Sequence, residues 1–509
     1  MLELTDTDLE FIKSKGIDIK QIENQIDSFK IGFPFANIIR PATPSDGIHV
    51  LKEEEYKSGI EFYDKYSKDL KILKFVPASG AASRMFKHLF EFKNSLNTNS
   101  YSDLINKPEN KLSLEFFNNL NKFAFYDDLK HCFETDINDD LDKNAKAILD
   151  ALLESKGLNY ASLPKALIKF HSYKEGAKLA MEEHLMEAIQ YAISKDSIAN
   201  IHFTVSPEHQ SKFTDLLSKI IADYEEKYKV KFNINLSNQK ASTDTIAVDD
   251  NNNVFRDTNG KLLFRPGGHG ALIENLNELN ADLIFIKNID NVVRDEKRQP
   301  TIKYKKALAG FGLSLKKEID YLLNLLEDGD GIEHSISFII NKLNLNISSK
   351  IKDLDKYEKL DYLYNILNRP LRVCGMVKNV GEPGGGPFWV EKNGEIRLQI
   401  VESAEIDANN SQQMELMKQS THFNPVDLVC FIKNHKGKKY NLKDFIDNNS
   451  AFISKKSKDG KTLKAMELPG LWNGAMAFWN TIFIEVPIET FSPVKTVNDL
   501  LRDSHIISY

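Results

Sequence analysis

Cysteine is scarce: Cys132, Cys374 and Cys430 are the three in 509 residues, and they lie far apart. That spacing supports neither a disulfide framework nor a thiolate metal site, and it fits structural thiols in a reducing compartment. No apolar run approaches the ~20 residues needed to span a bilayer, so no membrane partner is expected. A basic excess is also lacking. Lys and Arg number 67 against 73 Asp and Glu, a formal charge of -6, which leaves nothing to neutralise a nucleic-acid backbone. The opening MLELTDTDLEFIKSKGID has neither the basic start nor the apolar centre of a signal peptide. A cytoplasmic location is the expectation. Internal repeats and low-complexity tracts are missing, and the tryptophans Trp389, Trp472 and Trp479 are expected as core or interface anchors.

What remains is the composition of a globular chain, 41% hydrophobic and 28% charged, long enough for two to three domains at roughly 150 residues each. Helical periodicity is expected over 5–29 and 52–71. A buried-type strand over 73–76 runs into the small-residue loop 77–85 and a helix over 86–96. The Lys-, Asn- and Asp-rich stretch 97–159, with helices expected over 114–125 and 144–153, reads as an inserted helical subdomain. Alternation then resumes: helix 182–193, strand 201–205, helix 211–228, strand 232–236, helix 270–279, strand 281–286. Helices over 304–326 and 331–343 precede β-like segments at 397–402, 428–433 and 478–486. Strands separated by helices predict an α/β fold: a mixed, mostly parallel Rossmann-like sheet with helices on both faces. The expected divisions are a helical N-terminal region (1–70), a main α/β domain with the helical insertion (71–430), and a C-terminal α/β portion (431–509).

The richest segment is LFRPGGHGALIENLNELNADLIFIKNIDNV, residues 263–292. Its turn, Pro266-Gly267-Gly268-His269-Gly270, lets backbone amides approach a ligand. The apolar strand that follows ends in Asn288-Ile289-Asp290-Asn291, and in open α/β sheets ligands sit beyond the carboxyl ends of strands. Asp290 is therefore placed where a carboxylate holds a metal against phosphates. Upstream, Pro77-Ala78-Ser79-Gly80-Ala81-Ala82-Ser83-Arg84-Met85 links a strand to a helix, a geometry that aims amides at phosphate.

PASGAASRM resembles the glycine-rich start of sugar nucleotidyltransferases, and Leu163-Pro164-Lys165-Ala166 looks like the Pro-Lys pair that follows it in that family, here separated by the insertion. Ala82 and Ser83 depart from the family's glycine and threonine. PGGHG, KNIDN, RLQIVE (397–402), Phe423-Asn424 and FSPVKT (491–496) resemble, in order, motifs of the UDP-sugar pyrophosphorylase branch, the relatives of UTP:glucose-1-phosphate uridylyltransferase. STDTIAVD and GEPGGGPFW lie outside that pattern, which points to a divergent bacterial-type subgroup.

The resemblance implies a GT-A-like nucleotidyltransferase that makes an NDP-sugar, UDP-sugar above all, and pyrophosphate from a nucleoside triphosphate (UTP) and a sugar 1-phosphate. It implies Mg²⁺ on Asp290, with Arg84 and Lys165 on the leaving pyrophosphate. Lys495 and His269 would face the sugar phosphate. Ser79, Gly80, Ser83, Gln239 and Gly268 would hold the nucleotide, with Gln239 reading uracil, and Asn288, Glu402 and Asn424 the sugar. Each position also admits a structural role: surface charge for Arg84, Lys165 and Lys495, turn capping for His269 and Asn424, an ion pair for Glu402, an ordinary loop amide for Gln239. Glu405 is a second carboxylate beside Glu402. Two other functions stay open, a nucleotide-sugar sensor or scaffold without turnover and nucleotidyl transfer to a phosphorylated acceptor other than a hexose.

Overall fold

The computed structural model describes residues 4–133, 140–381, 384–392, 394–458 and 460–506. The chain forms two compact units, each assembled from separated stretches: residues 1–72, 237–286 and 306–486 in the first, and 73–236, 287–305 and 487–509 in the second.

In the first unit the strands run in the order Thr43–Pro44, Gly47–His49, Asn480–Glu485, Leu371–Lys378, Asp427–Phe431 and Leu283–Lys287. Leu371–Lys378 pairs parallel with Asn480–Glu485, which pairs parallel with Gly47–His49. Asp427–Phe431 is antiparallel to Leu371–Lys378. The inner strands Leu371–Lys378, Asp427–Phe431 and Leu283–Lys287 are largely apolar and buried because both faces are covered. A separate antiparallel sheet joins Asn37–Pro41, Gly386–Lys392 and Glu395–Val401. Phe452–Lys458 and Lys461–Glu467 pair as an antiparallel hairpin.

The N-terminal stretch expected as one helix is two, Asp6–Ser14 and Ile19–Ile31. Gly16 sits at φ 71°, a left-handed conformation that ends the first helix. Asp18 then caps the second by accepting the Lys20 N–H. Their apolar faces form a core with Ile246, Val248 and Leu262.

In the second unit, Ile72–Pro77 pairs parallel with Ile198–Val205, and Lys231–Asn238 lies next in order. Helix Ala180–Tyr191 precedes the second strand and helix Gln210–Tyr228 follows it. The expected helical insertion contains Tyr101–Ile105, Lys111–Asn118, Tyr126–Lys130 and Leu141–Leu153, while residues 134–139 within it lie outside the described residues. Its core is aromatic: Phe116 packs at a tilt on Phe123, Phe123 stacks on Phe125, and Phe125 meets Tyr160 edge-on. Mixed α/β architecture with a largely parallel central sheet is thus the fold, as the alternating pattern predicts.

Candidate active site

Strand Ile72–Pro77 delivers the loop that starts at Ala78. Ala78 donates to the Thr204 carbonyl and is buried, whereas Gly80, Ser83 and Arg84 are exposed and Ser79 is half-buried. A Cβ built on Gly80 meets nothing within 4 Å, and its φ lies outside the left-handed region. Neither packing nor backbone conformation therefore demands glycine there. The loop is tied to the stretch around Lys165: Lys165 N–H donates to the Gly80 carbonyl (3.3 Å) and Ala82 N–H to that of Leu163 (3.0 Å). The two halves of the expected phosphate signature, separated by the insertion in sequence, are adjacent at the backbone.

The Lys165 ammonium is turned to Asp290, 2.7 Å from Oδ2, and also donates to the Val494 carbonyl at 2.6 Å. Lys495 approaches the same Oδ2 at 3.2 Å. Asp290 is only 6% exposed. Burial opposes its ionisation, but the two ammonium groups outweigh that penalty and hold its carboxyl below the usual range. Lys495 itself is exposed, so its charge is available to a ligand.

The strand that ends at Lys287 carries the chain to Asp290, and a turn closed by Asn291 N–H on the Asn288 carbonyl sets the aspartate's position. Asn288 is half-buried. Asn291 then grips the distant segment that bears Lys495: its Oδ1 accepts the Ser492 N–H at 2.9 Å, and the Asp290 carbonyl accepts the Val494 N–H at 3.0 Å.

Support also comes from a cluster that motif reading missed. Glu187 takes Lys74 at 2.8 Å and Lys287 at 2.6 Å, all essentially without solvent exposure. Burial pushes Lys74 down to about 7 despite Glu187, while the two lysines, against desolvation, keep Glu187 ionised. His184 Nε2 donates to the Ile289 carbonyl at 3.1 Å, next to Asp290. The sequence did hold a signal: Lys74 interrupts the apolar run LKFV and Lys287 ends the apolar run IFIK, and buried lysines need partners.

Could Mg²⁺ sit at Asp290? Such an ion is held by one or two carboxylates plus substrate phosphates. Among the described residues no group of three or more His, Cys, Asp and Glu side chains gathers in a metal-holding set. Asp290 offers one carboxylate, with one oxygen already facing two cations. That donor set suits an ion arriving on phosphates, not a resident one.

The first unit holds a different constellation. The His269 ring stacks on Trp472 with centroids 4.3 Å apart and lies 3.6 Å from Glu402. Its Nδ1 accepts the Leu471 N–H. The His269 ring beside Glu402, with burial opposing, helps hold the Glu402 carboxyl below its usual range. Glu405 is the opposite case. Burial pushes it up to about 7, although its Oε2 accepts the Glu402 N–H and the Asn473 amide. Glu405 lines a cavity of about 910 Å³ that Glu402 and His269 do not border.

The glycines of the turn before His269 answer largely to packing. A Cβ on Gly267 would crowd the Thr243 carbonyl (2.6 Å) and one on Gly270 would overlap the Pro469 carbonyl; Gly268 has φ 76° and faces Glu467. Gln239 is half-buried and touches Thr243 Oγ1 at 3.5 Å. Asn424 is buried, donates its N–H to the Gly385 carbonyl, accepts the Val426 N–H on Oδ1, and has no partner for Nδ2 among the described residues. So Lys165, Lys495, Asp290 and the Gly80 loop meet in the second unit, and His269 meets Glu402 in the first.

A family model described as Domain of unknown function (DUF4301) matches residues 5–506. The chain belongs to that family. No curated protein matches it by sequence. Among solved structures it is similar to a mutant of UDP-glucose pyrophosphorylase from Leishmania major, at TM-score 0.45 and 11% identity, covering 98% of this chain and 79% of that one. The UDP-N-acetylglucosamine pyrophosphorylase of Trypanosoma brucei gives TM-score 0.47 and 11% identity over the same shares. A protein from Entamoeba histolytica described as a putative UDP-N-acetylglucosamine pyrophosphorylase gives 0.37 and 13%, covering 87% of this chain and 80% of that one. Among the described residues no helix is long and apolar enough to cross a membrane.

Proposed function

We propose that the chain is a nucleotidyltransferase that joins a nucleoside triphosphate, UTP in particular, to a sugar 1-phosphate and releases pyrophosphate. The observation that carries this reading is Asp290 held on one oxygen by Lys165 and Lys495, with Lys165 hydrogen-bonded through its backbone to the exposed Gly80 loop. In this reaction a sugar-phosphate oxygen attacks the α-phosphorus in line and the bond to the β-phosphate oxygen breaks. No covalent intermediate is needed, so the protein must place two anions and offset their repulsion. Lys165 and the exposed Arg84 would meet the departing pyrophosphate. Lys495 would neutralise the attacking phosphate. Amides of Ser79, Gly80 and Ser83 would bind the triphosphate at the point where no side chain intrudes.

Mg²⁺ carried by the triphosphate would take Asp290 as a ligand and supply further charge neutralisation. Gln239 and Gly268 would contact the base, Asn288, Glu402 and Asn424 the sugar, and His269 the sugar phosphate. A screen of four nucleoside triphosphates against a panel of sugar 1-phosphates, read by pyrophosphate release, tests the proposal. Release with UTP and one sugar phosphate is the expected result. Saturable binding of a UDP-sugar with no turnover for any pair would instead favour the sensor reading, and turnover with a non-sugar phosphate alone would shift the acceptor class.

A further inference from the structure

Beyond the groups assigned above, the second unit contains a buried chain of polar side chains that ends on the segment bearing Lys495. Glu183, on helix Ala180–Tyr191, lies with Oε1 2.8 Å from His171 Nδ1 and with Oε2 2.5 Å from Arg298. His171 Nε2 is 2.8 Å from His505 Nδ1, and His505 Nε2 is 3.1 Å from Ser492 Oγ. Glu183, His171, His505 and Ser492 are all buried.

Against the Glu183 carboxylate, which accepts, His171 donates from Nδ1. Desolvation, together with His171 and Arg502, holds His505 well below its ordinary range and so favours its neutral ring. That ring has one donor and one acceptor nitrogen, which face His171 Nε2 and the Ser492 hydroxyl. Tyr173, which donates to Glu183 Oε1, and Asp295, paired with Arg298, complete the ionisable surroundings.

Ser492 is thus anchored by three partners. Its hydroxyl meets His505 Nε2 and the Ser504 hydroxyl, and its N–H goes to Asn291 Oδ1. Two residues on, Val494 hydrogen-bonds the Asp290 carbonyl and accepts from Lys165, and Lys495 reaches the Asp290 carboxylate. We propose that Ser492 and His505 are positioning residues for Lys495: the chain from Glu183 sets where the segment sits, and so keeps the Lys495 ammonium on Asp290. The consequence for catalysis rests on the nucleotidyl-transfer reading; the consequence for Lys495 itself does not.

The test uses the full chain and two readouts. Acylation of Lys495 by acetic anhydride, quantified by mass spectrometry at fixed pH, reports whether the ammonium is held by a carboxylate. Pyrophosphate release gives kcat and KM for the triphosphate. Ser492→Ala removes one oxygen and little volume, and is expected to raise Lys495 acylation at least threefold, lower kcat about tenfold and leave KM within twofold. Ser492→Thr, which restores the hydroxyl, should return both towards the parent values. His505→Ala should match Ser492→Ala, and if it fails to fold the serine pair still decides. Unchanged Lys495 acylation in a folded Ser492→Ala protein would overturn the proposal. Raised acylation in a parent protein that shows no turnover would sustain the positioning role while sinking the nucleotidyl-transfer reading.

Discussion

Asp290 is 6% exposed and shares one oxygen between two ammonium groups, so replacing it disturbs charge balance as well as any phosphate chemistry. Asp290→Asn is expected to lower kcat at least ~100-fold, the scale seen when one electrostatic stabiliser of a transition state is removed. EDTA should do the same to the parent protein. Full turnover in EDTA would remove metal from the reaction. Gly80 gives the opposite kind of test. Its Cβ direction is open, so Gly80→Ala should leave the melting temperature unchanged while raising the KM for the triphosphate several-fold; an unaltered KM would take the loop out of phosphate binding. Glu405 offers a prediction in pH. Its folded pKa of about 7 lies above the ordinary value, so the stability it contributes is present at acid pH and is lost as pH rises through about 7. Denaturation at pH 5 and pH 8 should show the parent losing on the order of 1–3 kcal/mol more than Glu405→Gln over that interval. Equal losses would mean that Glu405 ionises normally.

Among the elements, periodicity located most of the helices and the strands that alternate with them, but not Gly386–Lys392 or the hairpin Phe452–Lys458 with Lys461–Glu467, and the helix misses have local causes. The break between the first two helices depends on Gly16 at positive φ and the Asp18 cap, small signals inside a continuous amphipathic pattern. The helix expected over 114–125 begins at Lys111 and ends at Asn118, after which Leu120–Lys122 turns and Phe123 is extended. Tertiary packing of the phenylalanines there overrides helical spacing. A contact that no pattern reveals is the approach of helix Glu53–Tyr66 to helix Gln299–Glu327, where a Cβ on Gly310 would overlap the Gly59 carbonyl oxygen. Backbone cannot yield as a side-chain tip does. Gly310→Ala should therefore cost about 1–3 kcal/mol despite alanine's better helix propensity, measured by urea unfolding. A stabilised variant would show that the helices separate freely.

At the scale of the whole molecule, the motifs were legible and their purposes only partly so. Lys165 and Asp290 stand 125 positions apart, and nothing in the sequence states that the lysine points at the aspartate or that the Val494 carbonyl is its second acceptor. The glycines around His269 read as a backbone open to a ligand, yet close packing against Thr243, Leu468 and Pro469 accounts for Gly267 and Gly270, and a φ of 76° for Gly268. Local pattern reports that a backbone must come close to something without saying to what. The same ambiguity surrounds Gln239, where strand Lys231–Asn238 ends. Its amide is half-buried, and its contact with Thr243 at 3.5 Å is too long to commit it. A primary amide carries both a donor and an acceptor and so can match the carbonyl and N–H edge of uracil. Thymine has the same edge, so only space at the methyl group separates those two. We therefore predict UTP over CTP and the purine triphosphates, with Gln239→Ala eroding that selectivity by on the order of 1–3 kcal/mol because a buried base edge is left unpaired. Measuring kcat/KM for all four ribonucleotides in both proteins decides it. A uniform fall across the four would assign Gln239 to the architecture of its loop, whereas a loss confined to UTP would make it the residue that reads the base.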